Sequence, residues 1–219
     1  MPGRFDAVLF DFGGVFTASP FGAFEDAARE LGAEPRAVLE IVFGPYDLDT
    51  DHPWHRLERG ELTLGDARNA IIALGVERGI ELDPLRVLLA MKDGGGAREP
   101  LVARTRALRG EGYKTALVTN NAREFGPSWR GLLPLDELFD AVIDSSHVGM
   151  RKPNPAIFRH ALAQIGGVEP ARSIFLDDHP GNVAAANRLG MRGLLVGDDP
   201  AVALAELEGL LSGPAAGRR

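Results

Sequence analysis

The 219-residue chain contains no cysteine, which excludes disulfide frameworks, thiolate zinc sites and cysteine nucleophiles and agrees with a reducing compartment. It has no apolar run near the roughly eighteen residues of a membrane helix. No apolar leader precedes the first strand either, since Met1-Pro2-Gly3-Arg4 runs straight into it. A soluble, cytoplasmic protein is expected. Positive charge is also short. Lysine and arginine number 24 against 31 aspartates and glutamates, a formal charge of −7, which is the wrong sign for a nucleic-acid duplex as main partner. A small phosphate ester remains compatible, because one lysine, a divalent cation and a few main-chain donors hold such a ligand whatever the rest of the surface carries. What is present is ordinary for a globular chain: 45% hydrophobic and 25% charged residues, enough for one large domain or a core with a smaller insertion.

Two kinds of organisation share the chain. From about Pro20 to Lys92 apolar residues recur at helical spacing: Phe21, Phe24, Ala28 and Leu31, then Val38, Ile41 and Val42, then Leu64, Ala67, Ile71 and Leu74. Thr63 with Asp66 forms a capping-box pattern, and Asp83-Pro84 sets a cap residue before a first-turn proline. These stripes predict a small helical bundle. After Gly94-Gly95-Gly96, a candidate hinge, helices alternate with short buried strands at 115–118, 141–143, 173–176 and 193–196. With a first strand at 5–10, the pattern predicts an α/β fold: a doubly wound, Rossmann-like parallel sheet with an inserted all-α cap. The expected divisions are a core of residues 1–17 and 96–212, a helical cap of 18–95 and a flexible tail of 213–219. Oligomeric state is not legible, since no heptad run marks an interface.

Three of these strands end in polar residues: Asp11 after the first, Thr119-Asn120-Asn121 after the second, Asp177-Asp178 after the fourth. Carboxyl ends of parallel strands face one edge, where open α/β sheets bind ligands. Arg151-Lys152-Pro153-Asn154-Pro155 follows the third strand, its prolines stiffening the loop that aims the lysine. Singly, each motif also reads as a helix cap, a turn or a solvated lysine. Together they suit a carboxylate attacking phosphorus, which needs cationic help against the phosphate's own charge. Asp11 and Asp178 supply hard oxygen donors for Mg²⁺. Lys152 supplies a point charge, while Thr119, Asn120 and the main-chain N–H groups of Phe12 and Gly13 supply donors to the phosphoryl oxygens.

Asp11-Phe12-Gly13-Gly14-Val15, Val118-Thr119-Asn120, Lys152-Pro153 and Leu176-Asp177-Asp178-His179-Pro180-Gly181-Asn182-Val183 resemble the four motifs of the haloacid dehalogenase superfamily, in order. The inserted helices are similar to the cap of its phosphoglycolate phosphatase and dehalogenase subgroup. Ser19-Pro20-Phe21, Trp54 with Glu58-Arg59-Gly60-Glu61-Leu62-Thr63, and Val148-Gly149-Met150-Arg151-Lys152-Pro153 resemble the phosphatase domain of soluble epoxide hydrolases and its stand-alone bacterial relatives. The resemblance implies a Mg²⁺-dependent phosphomonoester hydrolase with a phospho-aspartyl intermediate on Asp11. It implies Asp178 and the Gly13 carbonyl as metal ligands beside Asp11, with Asp177 and Asn182 behind them.

One position departs from the family pattern. Where a second aspartate usually follows two residues after the nucleophile, as general acid and then base, this chain has Gly13. His179 is a candidate substitute or a capping residue. Three functions therefore stay open: a phosphatase of limited rate or range, a metal-independent 2-haloacid dehalogenase, and an idle binding module. Asp177-Asp178 would lack a purpose in the dehalogenase, and no arginine near the start of the cap presents itself for a substrate carboxylate. In the cap, Trp54, His55, Phe21, Phe24 and Tyr46 line an apolar entrance or form core, and Arg56 and Arg59 bind a second anionic group or pair with neighbouring acids.

Overall fold

The computed structural model describes residues 4–19, 28, 32, 34–86 and 96–213. Pro20, Phe21, Phe24, Leu31, Gly94, Gly95 and the tail beyond Gly213 lie outside the described residues. Among the described residues, five parallel strands make one sheet in the order β3-β2-β1-β4-β5: β1 (Ala7–Phe10), β2 (Lys114–Thr119), β3 (Ala141–Asp144), β4 (Ser173–Asp177) and β5 (Arg192–Leu195). The central strand Ala7-Val8-Leu9-Phe10 is wholly buried, as a strand covered on both faces must be.

Side chains alternate between two apolar layers. Val8, Phe10, Leu117, Ile174 and Leu176 pack on one face with Leu101 and Leu108, and with Ala203 and Leu207. Ala7, Leu9, Ala116, Val118 and Phe175 pack on the other with Ile157, Phe158, Ala185 and Ala186.

Seven longer helices accompany the sheet among the described residues: α1 (Pro35–Val42), α2 (Pro53–Glu58), α3 (Leu64–Glu77), α4 (Glu99–Gly110), α5 (Pro155–Gln164), α6 (Pro180–Leu189) and α7 (Pro200–Ser212). The prolines beginning α1, α2, α5, α6 and α7 sit where a helix has no use for an N–H donor. Thr63 caps α3 by accepting from Asp66 N at 3.1 Å, and its hydroxyl donates to the Asp66 carboxylate at 2.7 Å. The helices expected from sequence do not include α7, although Asp199 before Pro200 repeats the cap-and-proline pattern of Asp83-Pro84; its apolar residues fall on exposed Val202 as well as on buried Ala203 and Leu207, which blurs the helical stripe.

The helices of 35–86 carry their own apolar cluster, with Val38, Ile41, Trp54, Leu57, Ala67 and Ile71 at its centre. Trp54 and His55 are therefore core, whereas Tyr46 is partly exposed. Arg59 pairs with Asp49 and Glu61, and Arg56 with Glu61, so both are ion-pair partners. His55 is fully buried, its Nδ1 accepting from Thr50 N at 3.0 Å. Its ring lies 5.5 Å from that of His52.

Burial, with Arg151 nearby, pushes His55 down to about 3, and burial pushes His52 down to about 4. In the unfolded chain each ring takes up a proton near pH 6.5. Below that pH the unfolded state binds more protons, so stability is complete above pH 6.5 and falls as the pH drops toward the folded values. Between pH 6.5 and 5 the pair is expected to remove about 1–2 kcal/mol, discounted for partial solvent screening. Urea midpoints at the two pH values measure it; His55→Phe should flatten the dependence.

Candidate active site

Register gathers the polar strand ends. Phe10 lies opposite Leu117 of β2 and Leu176 of β4, so the next residue, Asp11, emerges level with Val118, one short of Thr119, on one side and with Asp177 on the other. Asp11 N donates to Leu176 O at 2.8 Å, extending the ladder one step. Chain order reverses around β1, with β2 and β3 to one side and β4 and β5 to the other. Such a switch point opens a crevice at the strand ends.

Lys152 occupies the centre. It is 1% exposed, and its Nζ stands 2.7 Å from Asp11 Oδ1 and 2.7 Å from Asp177 Oδ2. Carboxylate oxygens of Asp11, Asp177 and Asp178 all lie within 4.8 Å of one another. Asp177 is further held by His179 N at 2.8 Å and by Asn182 Nδ2 at 3.1 Å to both oxygens. Burial alone would lower the Lys152 pKa; the two carboxylates override it and hold the ammonium above its usual range. Burial pushes Asp11 well above the usual carboxylate range, against the pull of Lys152 and with Asp177 and Asp178 adding to it. Asp178 rises to about 6, again chiefly through burial and then Asp177.

Three clustered carboxylates against one ammonium leave an excess of negative charge in a buried setting. That is the condition a hard dication relieves, and all the donors are oxygens. The donor set fits Mg²⁺.

Other residues shape the cradle. Phe12 N donates to Asp11 Oδ1 at 2.7 Å, so this main-chain donor orients the carboxylate. Gly14 has φ +69°, and a Cβ there would fall 1.9 Å from Asp178 Oδ2; only glycine lets the loop pass so close. Arg98 straps the same loop, its guanidinium donating to Gly14 O at 2.9 Å and its N–H to Phe16 O at 2.7 Å. Gly13 has nothing within 4 Å of where a Cβ would stand. Thr119 is 2% exposed at the end of β2.

Asn120 behaves differently from a plain phosphate donor. Its Oδ1 accepts from Lys152 N at 2.8 Å and its Nδ2 donates to Lys152 O at 2.9 Å, clamping the lysine's main chain. Ser19, which the sequence analysis gave no role in the site, donates to Asp178 Oδ2 at 2.6 Å. Its place in the Ser19-Pro20-Phe21 motif was the available signal. His179 begins α6, its ring against Tyr46 at 4.8 Å and its Nε2 3.7 Å from Asp47; burial lowers its pKa.

A cleft of about 870 Å³ runs from this edge along α1, lined by Leu39, Tyr46, Leu48, Asp178, His179 and Pro180 among others. It is roomy enough for a small-molecule body next to the carboxylates.

Lys152→Met should destabilise the protein prepared without divalent cations by about 3–5 kcal/mol, because buried carboxylates lose their ammonium. Urea unfolding in EDTA measures this. Added Mg²⁺ is expected to recover part of the loss.

Residues 5–190 match the haloacid dehalogenase-like hydrolase family. Acyl-CoA dehydrogenase family member 10 of Mus musculus is 31% identical over 212 residues, 95% of this chain but 19% of that protein's length. Sesquiterpene phosphatase astK of Aspergillus oryzae is 28% identical over 91% of this chain and 94% of its own. Bifunctional epoxide hydrolase 2 of Mus musculus is 29% identical over 91% of this chain, which spans 37% of it. Among solved structures, a predicted HAD-like family hydrolase from Porphyromonas gingivalis superposes with a TM-score of 0.62 at 26% identity, covering 94% of this chain and 98% of that one. With five parallel strands, the matched motifs at their carboxyl ends and a family match over most of its length, the chain belongs to the haloacid dehalogenase-like hydrolases.

Proposed function

We propose that this chain is a Mg²⁺-dependent phosphomonoester phosphatase with Asp11 as nucleophile. The observation that carries the reading is the seating of Lys152 Nζ 2.7 Å from both Asp11 and Asp177, with Asp178 in the same carboxylate cluster. A full-length relative named as a phosphatase supports it. In the proposed reaction an Asp11 oxygen attacks phosphorus, the phosphorus–oxygen bond to the alcohol breaks, and the phosphoryl group passes to Asp11. Water then cleaves the acyl phosphate, regenerating the carboxylate and releasing inorganic phosphate.

Lys152 holds positive charge against the phosphoryl oxygens, and the Thr119 hydroxyl and Gly13 N–H donate to them. Phe12 N aligns Asp11, and Asn120 aligns the lysine through its main chain. Asp11, Asp178 and the Gly13 carbonyl would hold Mg²⁺, backed by Asp177 and Asn182. Bound there, the cation would offset phosphate charge. Because Gly13 brings no acid, the leaving oxygen takes its proton from water. Aryl and acyl phosphates, whose leaving groups need little protonation, are the favoured class; alkyl phosphates turn over slowly.

In this reading residues 18–95 form a cap over a core of 1–17 and 96–212, the partner is a small phosphate ester, and the enzyme works in the cytoplasm, which a cysteine-free chain suits. Phosphate release from a panel of phosphomonoesters, present with Mg²⁺ and absent with EDTA, tests it. Silence across the panel, or halide release from 2-haloacids in EDTA, would overturn it.

A further inference from the structure

Arg151 directly precedes Lys152, and its side chain is 0% exposed. Its main chain belongs to the core: Arg151 O accepts from Asn154 N at 3.0 Å within the lysine loop. Its guanidinium belongs to the helical segment. Nε donates to Glu58 Oε2 at 2.6 Å and Nη1 donates to Leu48 O at 2.6 Å, while Cζ lies 5.5 Å from the Tyr46 ring centre. Glu58, itself 2% exposed at the end of α2, has its second oxygen occupied by Trp54 Nε1 at 2.9 Å. A second tie flanks the lysine on the other side, where Asn154 Nδ2 donates to Asp49 Oδ2 at 3.1 Å. The helical segment thus grips the loop at residues 151 and 154, and Asn120 holds residue 152 between them.

We propose that Glu58 is a positioning residue for Lys152: by holding Arg151, the helical segment aligns the loop, and the ammonium sits between Asp11 and Asp177 only while that segment is seated. The use of that ammonium in turnover rests on the phosphatase reading; the mechanical coupling does not. A buried ion pair is a poor way to gain stability, since apolar side chains of similar volume serve as well or better. Directional bonds do what apolar contact does not, which is to fix the azimuth of one residue against its neighbour. Here that neighbour carries the charge at the centre of the site. The same pair links the Trp54–Glu58 stretch directly to the Arg151-Lys152-Pro153 stretch, 93 positions on from Glu58.

Reductive methylation of the folded full-length protein, read by peptide mass spectrometry, tests the coupling without relying on activity. Lys152 is expected to be protected in the wild type, with Lys114, whose side chain is 52% exposed, as internal reference. In Glu58→Gln the Lys152 rate should rise at least tenfold relative to Lys114. In parallel, kcat for an aryl phosphate should fall about tenfold with KM little changed, and Glu58→Asp, which keeps a carboxylate for Arg151, should lose less. Arg68→Ala is the control for general loosening, since it breaks the Arg68–Asp83 ion pair (2.7 Å) inside the helical segment. It should leave Lys152 protected.

A protected Lys152 in folded Glu58→Gln, or equal exposure in Arg68→Ala, would overturn the proposal. If Glu58→Gln does not fold, the apolar pair Glu58→Leu with Arg151→Met takes its place, with the same outcomes. A labelling difference without turnover refutes the phosphatase reading alone. Turnover with Lys152 protected throughout refutes the coupling alone.

Discussion

Asp11→Asn is expected to lower kcat for an aryl phosphate by about 10⁴-fold or more, the scale on which other hydrolases lose rate when the nucleophile is removed. The substitution changes little but the attacking charge. An amide oxygen still accepts from Phe12 N, now 2.7 Å from Asp11 Oδ1, and still faces Lys152 Nζ. What disappears is the anionic lone pair that would form the bond to phosphorus in the proposed reaction. The variant also removes one negative charge from a cluster that holds three carboxylates against one lysine. Oxyanion affinity in the presence of Mg²⁺ should therefore hold or improve while turnover is lost. Steady-state phosphate release together with tungstate titration separates the two effects. A variant that kept more than a tenth of the rate would mean that some other group attacks.

Much of this site could be read before any coordinates, for a physical reason. A parallel strand buried on both faces shows as a short apolar run, and its first polar residue marks the carboxyl edge. Asp11, Thr119, Asp177 and Asp178 were found that way, and the ladder of β1 with β2 and β4 brings them side by side. Lys152 was harder. It stands in a loop nine residues beyond Ile143, where the sequence pattern ends the third strand, with only the prolines at 153 and 155 to suggest that its direction is set.

Less was legible where a partner lies far away in sequence. Nothing local shows that Arg151 is buried, because arginine is seldom wholly buried and its partner Glu58 is 93 positions distant. Asn120 was expected to serve phosphate, but its side-chain amide closes on the Lys152 main chain, 32 positions away. Ser19 reaches Asp178 across 159 positions. Periodicity and capping patterns report on the few residues around them; pairings of this range are set by the order of the strands and by how the helices of 35–86 pack on the loops that follow them.

Gly13→Asp is expected to raise kcat for alkyl phosphates by about 10²–10⁴-fold, the usual contribution of a positioned general acid. The site has room for it. A Cβ at residue 13 would meet nothing within 4 Å, and the backbone there is not in the left-handed region that disfavours a side chain. Residue 14 offers no such freedom, since a Cβ on Gly14 would collide with Asp178.

The gain should depend on the leaving group. An alkoxide needs a proton as it departs, whereas an aryl oxide needs little, so the alkyl-to-aryl rate ratio rises even if both substrates bind less well beside a fourth carboxylate. The new acid must be protonated to donate, so an alkaline decline should enter the kcat profile for the alkyl ester. Gly13→Asn supplies the same bulk with no proton to give and should leave the ratio unchanged. If Asp and Asn behave alike, proton delivery does not limit the wild-type enzyme, and another group already donates to the leaving oxygen.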